Sequence, residues 1–350
     1  MFPSRRTVLA GLSGSLAGSL GFAGRIRAAA GPISIPLERV KRVIVLTPRK
    51  TIADILGFRD YLQTSSSTNK LSVQIDIREV EPGEVAALIP QIRAAKPDLI
   101  LTIFTPITLA TVGRYDEANP SAFITDIPVV FSSVTDPVAS HIVQKLEQPD
   151  RPVTGTRHIA PMAVQMKTIM AYRPWTRIAA VYNPAENNMV GAIRDLKREA
   201  ALLNVEVVDK PLPRDAAGVT DARAIPDLVR EAAAAGAQLL YIGPDTLVAS
   251  NNNTVIADAA LTNRLATFCC TELPIRRANL LMGLVSPAIN VGRLAGIKAE
   301  EILTGTASAD RIPIETLNRF SLLLRIGTAR TLDLYPPMKL LNIAEIIQDS

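Results

Sequence analysis

Two histidines, two cysteines and one tryptophan are all that these 350 residues hold of three residue types that carry much protein chemistry. His141 and His158 have no second His or Cys at ligand spacing, so the usual zinc motifs are excluded. Cys269 and Cys270 are chain neighbours, which rarely meet disulfide geometry. Following Leu265-Ala266-Thr267-Phe268, they read as small residues on a buried strand. There is no G-x-S-x-G elbow, no phosphate-binding P-loop and no G-x-G-x-x-G turn; Gly292 to Lys298 has the wrong spacing. No apolar stretch in the body reaches the about 18 residues of a membrane span. A one-signed surplus of charge is also missing. Of 38 Lys and Arg against 33 Asp and Glu, the four at Arg5, Arg6, Arg25 and Arg27 fall in residues 1–30, so the rest is nearly neutral. A nucleic-acid binder would keep its excess on the folded face, and none is expected. No cofactor and no metal are implied.

What is present points first to export. Hydrophobic residues make up 48% and charged residues 20%, which excludes disorder for most of the chain. Ser4-Arg5-Arg6-Thr7-Val8-Leu9 precedes a mild apolar stretch diluted by Gly11, Gly14, Gly18 and Gly21. Ala28-Ala29-Ala30 then offers a small-x-small cleavage site, with Arg25 and Arg27 just before it. This is a secretory layout, and the paired arginines resemble a twin-arginine signal. Residues 1–30 are therefore read as a signal peptide cleaved near Ala30, giving a periplasmic protein.

The body alternates strand-like and helix-like runs, as in parallel sheets covered by helices. Val43-Ile44-Val45-Leu46 is the continuous apolar strand expected where both sheet faces are buried. Strands follow at 73–77, 99–104 and 128–131, with helices at 51–63, 84–95 and 107–118. A second set repeats the order from Arg177–Tyr182 onward at an offset of about 135 residues, a whole domain rather than a solenoid unit. Two such halves in one chain suggest a cleft. His141 is expected on a helix after Asp136-Pro137, as a surface or packing residue, and His158 where the chain leaves the first half.

Six strand ends run into proline: Thr47-Pro48, Thr105-Pro106, Asp136-Pro137, Asn183-Pro184, Gly243-Pro244 and Ser286-Pro287. Proline suits the first helical position, and Thr, Asp, Asn, Ser and Gly suit the cap before it. In open α/β sheets the carboxyl ends of strands line the ligand crevice, where helix N–H groups and dipoles favour a carboxylate. Phe104, Phe131, Tyr182, Tyr241 and Phe268 sit at or near these ends; singly each suits a core cap, together they could wall a pocket. Asp136, Glu186, Asp245 and Glu272 also fall there, which leaves an acid–base isomerase open. Sugar stacking is not indicated, because Trp175 precedes a strand start and lies at the wrong end for the cleft.

Several segments carry a family resemblance: Lys96-Pro97-Asp98-Leu99-Ile100; Ile127 to Phe131 followed by Asp136-Pro137-Val138; Arg177 to Pro184 with Glu186 and Asn188; Glu300 to Gly305; and Thr328 to Leu332. Their order and spacing over 40–338 resemble the exported substrate-binding proteins of ABC importers, the group that includes tryptophan and tyrosine binders. The chain departs from that pattern at Glu147 to Pro152, where the family has glycines. It departs again at Ser286 to Asn290, where the family is tyrosine-rich, so an aromatic ligand does not follow.

The resemblance implies a type I periplasmic binding protein, α/β, with two similar Rossmann-like lobes, parallel sheets and a hinge. Residues 31–155 with 279–312 would form lobe 1, and 156–278 with 313–350 lobe 2. The implied function is a monomeric, non-enzymatic receptor that binds a small solute and hands it to an ABC permease in the inner membrane. The alternatives are a sensory module docking on a membrane receptor, or an exported isomerase of this architecture. Ligand contacts are expected from Thr47, Phe104, Thr105, Ser132, Ser133, Thr135 and Asp136 on one lobe. Tyr182, Asn183, Tyr241, Asp245 and Glu272 would serve on the other. Hydroxyls and helix N–H groups would take a carboxylate and Asp136 or Asp245 an amine, which favours an amino acid or a similarly small amphipathic carboxylate or amide.

Overall fold

The computed structural model describes residues 39–69 and 71–348; the expected signal at 1–30 lies outside them. The first half runs β1 (Lys41–Thr47), α1 (Ala53–Asn69), β2 (Val73–Glu79), α2 (Val85–Ala95), β3 (Leu99–Ile103), α3 (Thr105–Val112), β4 (Val129–Ser132) and β5 (Val153–Arg157). The second begins with α4 (Met162–Tyr172), then β6 (Arg177–Tyr182), α5 (Asn187–Leu202), β7 (Glu206–Pro211), α6 (Ile225–Ala234), β8 (Leu239–Ile242), α7 (Asn253–Thr262), β9 (Ala266–Cys269), α8 (Glu272–Arg277) and β10 (Met282–Val285). The late part holds α9 (Ala288–Thr304), β11 (Glu315–Thr316), β12 (Ser321–Arg325), α10 (Ile326–Leu332), α11 (Met338–Leu341) and β13 (Glu345–Ile347).

These strands form two sheets, ordered β11-β5-β4-β3-β1-β2 and β13-β12-β10-β9-β8-β6-β7. Every pair is parallel except β10 with β12. Each sheet is covered on both faces. That is why β3 and β8 are buried at every position and read as unbroken apolar runs. Cys269 and Cys270 are free and buried at the end of β9.

The chain passes between lobes at 158–161, 286–287 and 317–320, and this corrects the expected division. Residues 279–312 do not all belong to the first lobe. Met282–Val285 pairs with β9 and β12 in the second sheet, and only α9 returns to pack on α1. Conversely, Glu315–Thr316 pairs with β5 in the first sheet. The α1–α9 approach needs glycine: a Cβ on Gly292 would lie 1.9 Å from the Asp54 carbonyl oxygen.

Two further expectations change. No helix follows Asp136-Pro137; residues 133–152 cross the sheet irregularly, and His141 is half-exposed in a left-handed conformation with φ of 57°. Proline falls inside the first helical turn at only one of the six strand ends, Pro106 of α3. Elsewhere it shapes the turn before the helix, as Pro287 does at the N-cap of α9.

Candidate functional site

The carboxyl ends of both sheets gather the residues singled out by sequence, but the two lobes use them differently. In the first lobe β3 ends at Phe104, whose backbone takes φ 68° and ψ 158°. That conformation is nearly reserved for glycine, and such strain persists only where the surroundings impose it. Here the Phe104 N–H donates to the Ser132 carbonyl at 3.0 Å, and the Phe104 carbonyl accepts from the Thr108 N–H at 3.1 Å and the Thr108 hydroxyl at 2.8 Å. The ring stays half-buried, and no side chain caps the α3 N-terminus at Thr105. Ser133 is left-handed too, with φ of 59°. Thr135 is half-buried, and its carbonyl accepts from Arg157 Nε at 3.2 Å.

Beneath this rim lies a residue that sequence reasoning missed. Asp54, in the first turn of α1, is 2% exposed and accepts from both the Ser132 and Ser133 hydroxyls at 2.5 Å. Burial raises its pKa above the ordinary aspartate value, against those two hydrogen bonds, and the negative charge of Glu272 from the other lobe adds to the rise. An acid at the start of a helix is common enough to pass unremarked. Its partners lie 78 and 79 residues away, and no local pattern announces them. Thr47 is wholly buried and turns its hydroxyl onto the Arg49 carbonyl at 2.8 Å. Asp136 caps its own loop, accepting from Val138 N–H at 3.1 Å and Ala139 N–H at 3.0 Å.

In the second lobe the acids are already occupied by the chain. Asp245 accepts from the Asn183 N–H at 2.6 Å and the Val248 N–H at 2.7 Å, tying β6 to the π-helical turn Thr246–Asn251. Burial, then the nearby Glu186 charge, pushes its carboxyl up to about 6. Glu186 takes the Thr246 N–H at 2.9 Å and the Leu247 N–H at 3.2 Å. Asn183 Oδ1 accepts from the Ala185 N–H and the Thr220 hydroxyl. Glu272 accepts from Arg276 Nε at 2.8 Å and caps α9 through the Ala288 N–H at 2.9 Å.

The expected aromatic wall is thinner than the sequence suggested. Tyr241 is fully buried in the second-lobe core, stacked on Phe268 with its hydroxyl on Gln165 Oε1 at 3.0 Å. Strand alternation directs its ring to the packed face, not to the cleft. Tyr182 is buried beside Asp209, and burial pushes its phenol up to about 12. Phe131 is core, which leaves Phe104 as the half-buried ring among these aromatics. A depression of about 360 Å³ between α1 and the β2 edge, lined by Leu62, Val73, Ile75 and Ile77, lies away from the strand ends. Among the described residues no group of three or more His, Cys, Asp or Glu could hold a metal, and no helix is long and apolar enough to cross a membrane.

Residues 44–347 match the family of ABC transporter substrate binding proteins. The chain belongs to this family. A tyrosine-binding protein of Clostridioides difficile is 25% identical over 281 residues, covering 79% of this chain and 76% of the relative. A conserved domain protein of Vibrio cholerae superposes with a TM-score of 0.71 at 22% identity, covering 89% of this chain and 100% of that one. An ABC domain in complex with L-Trp from Streptococcus pneumonia gives 0.68 at 19%, covering 87% and 99%. These likenesses give the family member the bilobed fold of type I periplasmic binding proteins.

Proposed function

We propose that this substrate-binding protein takes an amino acid, or a similarly small amphipathic carboxylate, into the cleft between its lobes. It works as an exported monomer that hands the solute to an ABC permease. The observation that carries this reading is the difference between the strand ends. The first lobe offers an uncapped α3 N-terminus, the hydroxyls of Thr105 and Thr135, and the ring of Phe104. N–H groups and a positive helix end suit a carboxylate, and the ring suits an apolar side group. The second lobe brings the half-buried acids Glu186 and Glu272, suited to face an ammonium, with Asn183 and Asp245 buried beside Glu186. Similarity to a relative named for tyrosine and to a structure with L-Trp supports an amino-acid ligand. Closure follows from contacts on both lobes, since only differential affinity shifts a conformational equilibrium.

The test is a thermal-shift screen of the mature protein with amino acids, nucleosides, small carboxylates and sugars, because a ligand of the native state raises Tm by mass action. An amino-acid hit should also reduce the radius of gyration in solution scattering. A sugar as the sole strong hit would overturn the ligand class, and tight binding without a change of shape would overturn the closing mechanism. Export is checked by fractionation: mature protein should begin near Gly31, and Arg5→Lys with Arg6→Lys should block it if the twin-arginine route is used.

A further inference from the structure

We propose that Arg157, on the first crossover between the lobes, receives the carboxylate of the ligand and makes negative charge a condition of binding. The inference rests on the cleft reading above and adds a residue to it that neither the motifs nor the strand caps indicated.

Arg157 closes β5, so its side chain leaves the sheet at the carboxyl end, where open α/β sheets hold their ligands. It is half-buried, yet among the described residues it has no carboxylate partner. Nε is spent on the Thr135 carbonyl at 3.2 Å, which fixes the plane of the guanidinium and leaves both terminal nitrogens without a partner there. Arg151, also half-buried, shows the usual solution: its terminal nitrogens donate to the carbonyls of Val112, Gly113 and Ile142. Arg325, fully buried, donates to carbonyls likewise. The Arg157 terminal nitrogens, unlike Arg325 Nε, are not buried atoms, so they stay open to solvent and to an arriving anion.

Its surroundings fit that arrival. Thr316 pairs in register with Arg157 on the neighbouring strand, so both side chains emerge on one face about 5 Å apart. The Thr316 hydroxyl oxygen is buried and has no partner, as is His158 Nδ1 one residue further on. Nearby carboxylates are engaged elsewhere: Glu315 faces away and pairs with Lys298 Nζ at 2.6 Å, and Asp136 caps its own loop. A carboxylate presents two oxygens that match the two free guanidinium nitrogens in a fork, a geometry lysine does not offer. The Thr316 hydroxyl is placed to add a third donor. An anion held there touches the first and third crossovers, 158–161 and 317–320, which are the segments that rotate when lobes close.

The experiment compares L-tryptophan and L-tyrosine with their primary amides by calorimetric titration of the mature protein. The acids should bind about 30-fold or more tightly than the amides, the loss expected when a buried charged partner is removed. Arg157→Gln should bring the acids down to the level of the amides, Arg157→Lys should fall between, and Thr316→Val should cost a few-fold. Arg157→Gln should melt within a few degrees of wild type, because the side chain makes one hydrogen bond to the protein. Acid and amide binding alike, or Arg157→Gln binding the acids as wild type does, overturns the inference while leaving the amino-acid reading in place. If no amino acid binds but a carboxylate of another class does, and needs Arg157, the inference stands and the amino-acid reading falls. A screen whose hits are all neutral, or that finds none, overturns the role of Arg157.

Discussion

The two lobes share the order of a five-strand parallel core and spend their polar groups in opposite ways. In the second lobe three acids near the strand ends are bound to backbone N–H groups: Glu186 and Asp245 cap the turn at 246–251, and Glu272 caps α9. In the first lobe the α3 N-terminus has no side-chain cap, Phe104 and Ser133 hold positive φ, and Arg157 has no carboxylate partner among the described residues. A helix end closed by its own chain is rigid and satisfied. An open one, flanked by strained residues and by a cation with no carboxylate partner among the described residues, suits the ligand proposed above. In the proposed reading the first lobe is the side that takes the ligand, and the second is the preformed body that closes on it.

Breaking the floor beneath the first-lobe rim should have the largest effect. Asp54→Ala would strand two buried serine hydroxyls and should cost roughly 4 kcal/mol in a urea titration. Asp54→Asn keeps an acceptor and should lose less than half of that. Equal losses for both variants would mean that the charge, not the hydrogen bonds, holds Ser132 and Ser133.

The second lobe is tested by pH. The folded value of Asp245, about 6, stands above its ordinary 3.8, so its protonated form is favoured by folding. Its contribution to stability is fully present below pH 3.8 and is lost as pH rises through 6. Wild type should therefore lose up to about 3 kcal/mol relative to Asp245→Asn across that window. A constant difference between the two proteins from pH 3.5 to 7 would remove the burial penalty from the account.

Phe104 separates strain from contact. Phe104→Gly should weaken ligand binding about tenfold yet melt no lower than Phe104→Ala, because glycine relieves a conformation that costs about 1 kcal/mol or more. If alanine is the more stable of the two, the backbone at 104 is not strained. The smallest effect is expected at Asp136, whose alanine variant should lose about 1 kcal/mol as a removed cap and change affinity little. A tenfold loss of affinity at unchanged Tm would restore Asp136 to the ligand site.

What the sequence made legible was the part governed by neighbours along the chain. Continuous apolar runs such as Leu99–Ile103 announced doubly covered parallel strands, and the repeated order of runs announced two lobes. Pairing is nonlocal, so nothing in Met-Gly-Leu-Val at 282–285 says that β9 and β12 are its partners. The candidate site proposed here could be read from sequence only as a region, because strand ends and their caps are local. Its individual roles were not legible. Tyr241 sits at the end of an apolar run like a cleft residue, and only the pleat sends its ring inward. Asp54 looks like any first-turn acid until Ser132 and Ser133 fold against it. Arg157 is one arginine among many until its place at the end of β5, with Nε on the Thr135 carbonyl and no carboxylate partner among the described residues, sets it apart.

Hydrogen exchange with and without a saturating bound amino acid tests the asymmetry most directly. Peptides covering 104–108 and 132–136 should gain protection, because the N–H groups there that are not already bonded, such as that of Thr105, acquire a partner. Those covering 183–187 and 244–248 should change little, since the chain caps them already. Equal protection on both sides, or protection confined to the second lobe, would contradict the assignment of ligand capture to the first.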